Sequence, residues 1–468
     1  MAENTSGGRR DSGSFRDPSG HVIIDGGRVI RTLDEPAMST WEALSSTRFF
    51  ADLTAAEKVI ASRKIPLEET DLAGSAWAGA LEHQAIPFIS YPYEWPFSML
   101  KDAALLTLDI LAAGLPEDFI LKDATPYNVQ WRGTQPTFID IGSFEPLKQG
   151  EAWTGYRQFC RMFLFPLMMQ AYKDLPFAPW LRGRLDGIAA TEFRGMLGSR
   201  DLLRRGVMLH TVLQARAERR YQNSEQNVRE VMREAGFRKE LIENNIGGLR
   251  KTVAGLSPAR RTSAWMDYPD QAHVQASRDQ KADFLVRTLG NPSLVWDLGA
   301  NDGHFSRLAA GRGAYVVAAD ADEAVVDALY RKLVSEESRK ILPLVLDVTD
   351  PSPATGWRQS ERTPFEHRGK PELVILYAII HHMVIGGNIP VREVVEWLAE
   401  LGSRIIIEFV PLEDPLTARL VANKRADDVH RDYTEEAFRR QVSRFFEIEL
   451  EEPVADSQRR LFSLRPRD

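Results

Sequence analysis

The chain has 468 residues, of which 43% are apolar, with 66 acidic and 59 basic side chains and a formal charge of −7 at pH 7. This length favours two or three domains, each long enough to bury a core without a metal or a disulfide. The negative charge argues against a general nucleic-acid or membrane-surface binder. The single cysteine, Cys160, excludes an internal disulfide and a Cys-x-x-Cys zinc site, and its apolar surroundings predict a packed thiol.

The first twenty residues are polar and rich in Gly and Ser, so we expect residues 1–20 to form a disordered tail. They lack the apolar run of a signal peptide, and no run of eighteen apolar residues occurs elsewhere. We therefore expect a soluble, cytoplasmic protein. Two short β-rich runs around Asp25-Gly26-Gly27 predict a hairpin over His21–Arg31.

Between the hairpin and about residue 265 the sequence predicts an α+β, largely helical domain, residues 21–265. It includes a short strand over Ala85–Ser90, the stiff aromatic segment YPYEWPF (Tyr91–Phe97) and a buried helix over Leu100–Leu115. Residues 150–260 predict several helices, with breaks at Pro166, Pro176 and Pro179.

Residues 204–261 carry 13 basic against 6 acidic side chains. Two interpretations of this surplus are open. It is either an ordinary solvated helical face or a docking surface for an acidic partner or substrate.

A second domain, residues 275–468, is predicted to be α/β. Short apolar runs alternate with helical stretches, which indicates βαβ units and a mostly parallel sheet covered on both faces. The seven predicted strands are Leu294–Trp296, Tyr315–Ala319, Ile341–Leu346, Leu373–Tyr377, Ile405–Val410, Phe446–Leu450 and Leu461–Leu464.

The most informative segment is LVWDLGANDGHFS, residues 294–306. A predicted strand ends at Asp297, and a loop containing Gly299 and Gly303 leads into a helix beginning near His304. Glycines allow a sharp backbone turn and a close approach to a ligand.

The next two predicted strands end near acids, Asp320 and Asp347. Carboxylates there reach the crevice where open α/β sheets bind ligands, and Asp320 has the right spacing to accept ribose hydroxyls. Dinucleotide-binding loops read G-x-G-x-x-G and hold a pyrophosphate on helix amides. An acid-led loop would repel a pyrophosphate but suits a cationic ligand without phosphate, such as S-adenosylmethionine.

This segment resembles motif I of class I S-adenosylmethionine-dependent methyltransferases, and the resemblance covers about residues 280–468. It implies a Rossmann-like, seven-stranded domain that binds S-adenosylmethionine. The residues implied for the cofactor are Asp297, Gly299, Asn301 and Gly303 on the methionine side, Asp320 at the ribose and Asp347 at the adenine. The rival interpretation is a structural Rossmann-like domain with an inactive site.

After the fourth predicted strand comes YAIIHHM, in which His381 or His382 is a candidate general base for a hydroxyl or amine nucleophile. The alternative is a packing and hydrogen-bonding pair beside the cofactor. No Asp/Asn-Pro-Pro-Tyr tetrad follows this strand, so the pattern of amino-methylating DNA enzymes is absent. Glu408, which closes the fifth predicted strand, either lines the same crevice or makes a structural hydrogen bond.

The N-terminal half holds a second constellation. Asp123 is followed by Asn128 five residues later and by Asp140 in IDIG, which together supply a base and two oxygen ligands suited to Mg²⁺. This resembles the catalytic loop and D-x-G of kinase-like phosphotransferases of the aminoglycoside and choline kinase type. The resemblance implies Asp123 as the base, Asn128 and Asp140 as metal ligands, and Mg-ATP as a further cofactor.

The departures from that pattern are large. Leu121 stands at the usual His position, Ile141 replaces Phe, and no glycine-rich phosphate loop is evident beyond the hairpin. Lys58 and Lys64 are the candidates for the phosphate-binding lysine. We therefore expect a kinase-like fold used for binding rather than active phosphoryl transfer.

Taken together, SYPYEWPFSMLKDAALL (Ser90–Leu106), LKDATPYNVQ, IHH and IEFVP resemble the bacterial NoeA-like nodulation methyltransferases over most of the chain. The resulting prediction is methyl transfer from S-adenosylmethionine to an oxygen or nitrogen atom of a small-molecule or biosynthetic acceptor, which the N-terminal domain recognises. The alternatives are a bifunctional Mg-ATP phosphotransferase and a non-catalytic, cofactor-binding interaction protein.

Overall fold

The computed structural model divides the chain into two compact units. Unit 1 consists of Met1–Trp131, Pro136–Arg260 and Ala354–Thr363, and unit 2 of Arg132–Gln135, Arg261–Pro353 and Pro364–Asp468. The structure describes residues 8–70, 76–148, 150–216, 239–258, 272–422 and 432–467.

Unit 1 begins with a five-stranded antiparallel sheet of order β1-β2-β3-β5-β4. Its strands are β1 (Arg9–Arg10), β2 (Val22–Asp25), β3 (Arg28–Leu33), β4 (Ser62–Ile65) and β5 (Gly79–His83). The predicted hairpin is confirmed as β2 and β3. Gly26 and Gly27 both have positive φ, +53° and +87°. A two-residue turn with positive φ at both positions matches the right-handed twist of the strands that flank it.

Two expectations for this region are wrong. Residues 8–20 are ordered rather than disordered, because β1 pairs with β2 and Arg16 forms an ion pair with Glu361 at 2.6 Å; residues 1–7 lie outside the described part of the chain. The strand expected over residues 85–90 lies instead at β5, which is hydrogen-bonded to a strand on each side. Pro87, which has no backbone N–H, could not complete such pairing.

Two further pairs of strands, most of whose residues belong to unit 1, flank the second constellation. They are β6 (Phe119–Leu121) with β9 (Phe144–Pro146), and β7 (Val129–Arg132) with β8 (Gln135–Phe138). The described α-helices of unit 1 are α1 (Glu35–Ser45), α2 (Arg48–Ala55), α3 (Phe97–Gly114), α4 (Tyr156–Phe159), α5 (Phe165–Lys173), α6 (Ala178–Gly183), α7 (Ala190–Met196) and α8 (Lys239–Ala254). The predicted buried helix is α3, which is apolar and buried along most of its length.

The break expected at Pro166 is wrong. The chain stays helical from α4 through a π-helical segment, Cys160–Leu164, into α5, and Pro166 lies in the first turn of α5. A proline lacks the N–H that continues an α-helix, and the wider π turn before it accommodates that loss. Cys160 is a buried free thiol, as its surroundings predict.

Unit 2 is built on a seven-stranded sheet of order β12-β11-β10-β13-β14-β16-β15. The strands are β10 (Leu294–Leu298), β11 (Tyr315–Asp320), β12 (Ile341–Val345), β13 (Leu373–Leu376), β14 (Arg404–Phe409), β15 (Phe446–Pro453) and β16 (Arg460–Pro466). The first five are parallel, and β16 runs antiparallel to both of its neighbours. All seven predicted strands are confirmed, as is the mostly parallel α/β class.

The described helices of unit 2 are α9 (Ala272–Thr288), α10 (His304–Gly311), α11 (Glu323–Ser335), α12 (Val391–Glu400), α13 (Pro415–Ala422) and α14 (Glu435–Phe445). The central strands are buried almost completely, with Val295, Val316, Ile375 and Ile406 fully shielded from solvent. This packing fixes the carboxyl ends of β10, β11, β13 and β14, from which the candidate site is built. No helix in the described ranges combines the length and apolarity needed to cross a bilayer.

Candidate functional site

The loop after β10 passes over the end of β11. The N–H of Gly299 donates to the carbonyl of Ala319 at 2.8 Å, and Gly299, Asn301 and Gly303 all have positive φ, between +46° and +82°. A Cβ at Gly299 would lie 2.2 Å from Cδ1 of Ile379, so a larger residue would collide there. The loop therefore needs the glycines that the sequence places in it.

Asp320 is joined directly to this loop. Its Oδ2 accepts a hydrogen bond from the N–H of Asn301 at 3.0 Å, and its Oδ1 accepts one from the N–H of Asp322 at 3.0 Å. Burial raises the pKa of Asp320, and these hydrogen bonds oppose the rise. The structure thus brings together the loop and the acid at the end of the second strand.

Asp297 and Asp347 are placed differently from Asp320. Asp297 is 2% exposed, and its carboxylate accepts a 2.6 Å hydrogen bond from Ser306 in α10. It therefore anchors the first turns of that helix from inside the protein. Asp347 is exposed, two residues beyond β12, and its Oδ1 accepts hydrogen bonds from the N–H and the hydroxyl of Thr349. Contact of either residue with a cofactor stays a prediction.

Burial raises the pKa of Asp297 to about 7, and nearby acids including Asp320 add to the rise. A carboxyl group with a raised pKa stabilises the folded protein below its unfolded pKa, and that contribution is lost as the pH rises through the folded value. We expect Asp297→Asn to be more stable to heat than the wild type at pH 8, with the difference shrinking toward pH 5. Thermal unfolding measured from pH 5 to 8 checks this.

The control for this prediction is Asp283→Asn, an exposed acid in α9. We expect no pH-dependent difference between it and the wild type. A constant gap between Asp297→Asn and the wild type at every pH would contradict the prediction, because it would show that ionisation of this carboxyl does not oppose folding.

The two histidines follow β13, and their rings contact each other at a tilt of 39° with centroids 4.2 Å apart. His381 is fully buried, and in the described part of the chain neither ring nitrogen has a hydrogen-bond partner. Burial, His382 and two cations, Arg459 and Lys281, hold the pKa of His381 well below its usual value. His382 is half-buried, and burial alone lowers its pKa. Of the two rings, that of His382 is the more exposed to solvent.

A buried ion network lies at the end of β14. Glu408 is fully buried and contacts Lys281 at 2.8 Å and Arg459 at 3.4 Å. Arg459 also makes two hydrogen bonds to Asp414, at 2.7 and 3.1 Å. Two cations and two carboxylates therefore balance one another here. These contacts favour the structural interpretation of Glu408 over a place in the lining of the crevice.

In unit 1 the second constellation folds into a hydrogen-bonded network. Asp140 forms an ion pair with Arg31, whose Nη2 lies 2.9 Å from Oδ1, and its Oδ2 accepts a hydrogen bond from the hydroxyl of Ser143 at 2.5 Å. The amide Nδ2 of Asn128 donates to Ser143 at 2.9 Å. Arg31 also contacts Asp17 at 3.4 Å. Asn128 and Asp140 therefore brace this loop through Ser143.

These contacts do not fit a magnesium site. Mg²⁺ prefers oxygen ligands in a near-octahedral arrangement, whereas both carboxylate oxygens of Asp140 are already engaged and one of them faces a guanidinium. Within the described ranges, no group of three or more His, Cys, Asp or Glu side chains is arranged to hold a metal ion.

Several residues of these sites are not predicted from the sequence. Arg31 is the cation beside Asp140, whereas Lys64, one of the two candidate lysines, pairs with Glu42 at 2.7 Å. Because Arg31 lies on the second strand of the predicted hairpin, the hairpin is the one sequence feature that points to it. No local sequence motif points to Lys281 or Arg459.

The basic segment 204–261 lies partly outside the described residues. In its described parts, Lys239 and Arg250 form ion pairs with Asp118 and Asp109, at 2.7 and 2.6 Å. A docking role for this segment stays a prediction.

A search against protein-family models finds no match. The chain is 32% identical to nodulation protein NoeA of Rhizobium meliloti (strain 1021) over 459 residues, which is 97% of this chain and 95% of that protein. The chain belongs to the NoeA family. The family resemblance predicted from the sequence is therefore confirmed, and it covers both units.

Solved structures similar to this NoeA-family chain include three with TM-scores near 0.3. PH0226 from Pyrococcus horikoshii OT3 has a TM-score of 0.33 and 17% identity, and the match covers 44% of this chain and 100% of that one. Magnesium protoporphyrin IX methyltransferase ChlM from Synechocystis PCC 6803 with bound SAH has a TM-score of 0.30 and 19% identity, with coverages of 44% and 90%. The N-methyltransferase NodS from Bradyrhizobium japonicum WM9 has a TM-score of 0.31 and 12% identity, with coverages of 42% and 99%. These TM-scores are too low to support an assignment of fold or function.

Proposed function

We propose that this NoeA-family protein is an S-adenosylmethionine-dependent methyltransferase whose unit 2 carries the cofactor site. The observation that carries the proposal is the hydrogen bond between Asp320 and the loop that follows β10. The Gly299–Gly303 loop turns over the end of β11, and Asp320 is hydrogen-bonded to it through Asn301. Asp320 keeps lone pairs beyond these two bonds, with which it can accept ribose hydroxyls.

Two further features support S-adenosylmethionine over a dinucleotide. The sheet order β12-β11-β10-β13-β14-β16-β15, with β16 antiparallel, is that of the class I methyltransferases that the sequence resembles. The carboxylate of Asp320 also makes the surroundings of the loop acidic. Acidic surroundings suit a sulfonium and an ammonium group but disfavour a pyrophosphate.

Bound S-adenosylmethionine supplies a methyl group that is already activated by the sulfonium. The protein's task is then to hold the acceptor atom in line with that methyl group at near-attack distance. His382 would accept the proton from a hydroxyl or amine acceptor, since its lowered pKa keeps the imidazole neutral at pH 7. We assign recognition of the acceptor, a small or biosynthetic molecule, to unit 1.

Calorimetry with S-adenosylmethionine and S-adenosylhomocysteine tests the cofactor assignment. We expect both to bind, and Asp320→Ala to weaken binding by about 1.5–3 kcal/mol, the size of hydrogen bonds to a charged group. Asp283→Ala, at an exposed acid of the same unit, is the matched control and should bind as the wild type does. Tight binding of NADH with no heat from either sulfur compound would overturn the assignment.

A further inference from the structure

One side of the helix over residues 207–216 of unit 1 is apolar and faces solvent. The helix begins as a π-helical segment, Val207–Val212, and continues as an α-helix to residue 216. Its inner side is anchored, because the buried His210 is hydrogen-bonded through Nδ1 to the hydroxyl of Tyr156 at 2.9 Å. Positions 208, 209 and 213 are four and five residues apart, so they lie on one side of the helix. The side chains there, each about half exposed, are Met208, Leu209 and Leu213.

A further apolar side chain projects into solvent just before this helix. Leu203 ends the 3₁₀ helix Ser199–Leu203 and is 90% exposed, more than any other large apolar side chain in the described part of the chain. Five residues of chain separate it from Met208, so their Cα atoms lie within about 18 Å of each other. The 3₁₀ helix also packs against residues 207–212. Leu203 and the exposed side of the helix therefore belong to one region of the surface.

The charged residues of this region are almost all arginines. From Phe193 to Arg216 the sequence holds five arginines and one acid, Asp201. Asp201 is buried and contacts Lys173 at 3.0 Å and Arg204 at 3.2 Å, so its charge is already compensated. The exposed arginines without a carboxylate partner among the described residues are Arg200, Arg205 and Arg216. The region is thus apolar and positively charged at once.

Two of the five arginines line a cavity beside the helix. The cavity has a volume of about 380 Å³ and is lined by Arg194, Gly195, Val212, Ala215 and Arg216. One N–H of Arg194 donates to the carbonyl of Leu197 at 3.2 Å, which leaves its other donors available. Guanidinium groups present forked N–H donors that match phosphate oxygens. An anionic phosphate group therefore suits this cavity.

We propose that this surface of unit 1 docks on a phospholipid bilayer that carries anionic headgroups. Leu203 and the exposed side of the helix enter the boundary of the acyl chains, and the arginines contact the lipid phosphates above it. Apolar side chains flanked by arginines match the two layers of such a bilayer. The charge of −7 for the whole chain does not oppose this docking, because salt screens charges more than about 8–10 Å from the bilayer.

Other occupants match this surface less well. In a symmetric pair of chains the same patch meets itself, which would set the arginines of one copy against those of the other. Protein partners are held mainly by Trp, Tyr and Arg anchors, among which leucine is under-represented, whereas the exposed apolar side chains here are three leucines and a methionine. An anionic bilayer satisfies the arginines and the aliphatic side chains together.

The test is co-sedimentation of the full-length protein with lipid vesicles at physiological ionic strength. Vesicles of equal parts phosphatidylglycerol and phosphatidylcholine are compared with vesicles of phosphatidylcholine alone. We expect the affinity for the anionic vesicles to be higher by about tenfold or more, because each arginine gains from a negative surface potential. This preference should disappear in 1 M salt, where the Debye length is about 3 Å.

Two variants locate the docking surface. Leu203→Ser removes an apolar side chain from the bilayer and should weaken binding about tenfold. Arg200→Gln with Arg205→Gln removes two charges, each of which contributes about fivefold near an anionic surface, so this variant should bind about 25-fold more weakly. The matched controls, Val334→Ser and Arg312→Gln at exposed positions of unit 2, should bind as the wild type does.

Three outcomes would overturn the proposal. The first is equal binding to both kinds of vesicle, or binding to neither. The second is full binding by the Leu203 variant and by the arginine variant, because the bilayer would then contact another part of the protein. The third is a dimer, detected by sedimentation velocity without lipid, that Leu203→Ser dissociates, because this surface would then bind a second copy of the chain. All three measurements are independent of cofactor binding by unit 2.

Discussion

Replacing His382 by Ala is expected to lower the kcat of methyl transfer about 10²–10⁴-fold, the usual contribution of a general base. The affinity for S-adenosylhomocysteine should be nearly unchanged, because His382 acts on the acceptor rather than on the cofactor. The reason for choosing His382 over His381 is exposure. His382 is half-buried, whereas the ring of His381 beneath it is completely enclosed.

The pH profile separates a base from a packing residue. Burial lowers the pKa of His382, so its imidazole stays neutral, and able to accept a proton, at pH values below the usual histidine value of 6.5. The acidic limb of kcat/KM should therefore lie below pH 6.5 in the wild type and disappear in His382→Ala. Full turnover by both His381→Ala and His382→Ala would return the pair to a packing role.

The sheet of unit 2 is predictable from the sequence because of where its strands lie. A parallel strand buried on both faces needs apolar residues at every position, so it reads as a short continuous apolar run. Ile405, Ile406 and Ile407 in β14 and Leu373–Leu376 in β13 show this directly, since all of them are buried. Glycines and acids at the ends of such runs then mark the ligand-binding edge.

The strands of unit 1 are harder to predict because pairing, not composition, creates them. Strand β5 reads GALEH and contains no β-branched or aromatic residue, yet it is hydrogen-bonded to β3 and β4. β-propensity is a weak guide where neighbouring strands decide the outcome. The nearby Ile86–Ile89 has the apolar composition of a strand but does not form one.

The electrostatic partners at both sites lie beyond the reach of motif analysis. Arg31 meets Asp140, and Lys281 meets Glu408, across more than a hundred residues of chain. Motifs report residues at fixed local spacing, so they identify Asp140 and Glu408 but not the cations that pair with them. Whether each acid is free or compensated, which decides its chemistry, is visible only once the chain is folded.

Glu408→Ala is expected to lower the free energy of unfolding by about 3–5 kcal/mol, the usual result of removing one partner from a buried ion pair. The substitution leaves Lys281, at 9% side-chain exposure, without this carboxylate, while Arg459 keeps its ion pair with Asp414. Urea unfolding measures the loss, and hydrogen exchange of β14 peptides assigns it to unit 2.

Two comparisons show whether the lost charge balance is the cause. Glu447→Ala removes an acid whose ion pair with Arg465 is about half exposed, and it should cost less than about 1 kcal/mol. The double variant Lys281→Met with Glu408→Leu replaces both charges by apolar groups and should recover most of the stability, because buried ion pairs contribute little net free energy. A double variant as unstable as Glu408→Ala would show instead that the carboxylate is needed for a contact that no apolar side chain provides.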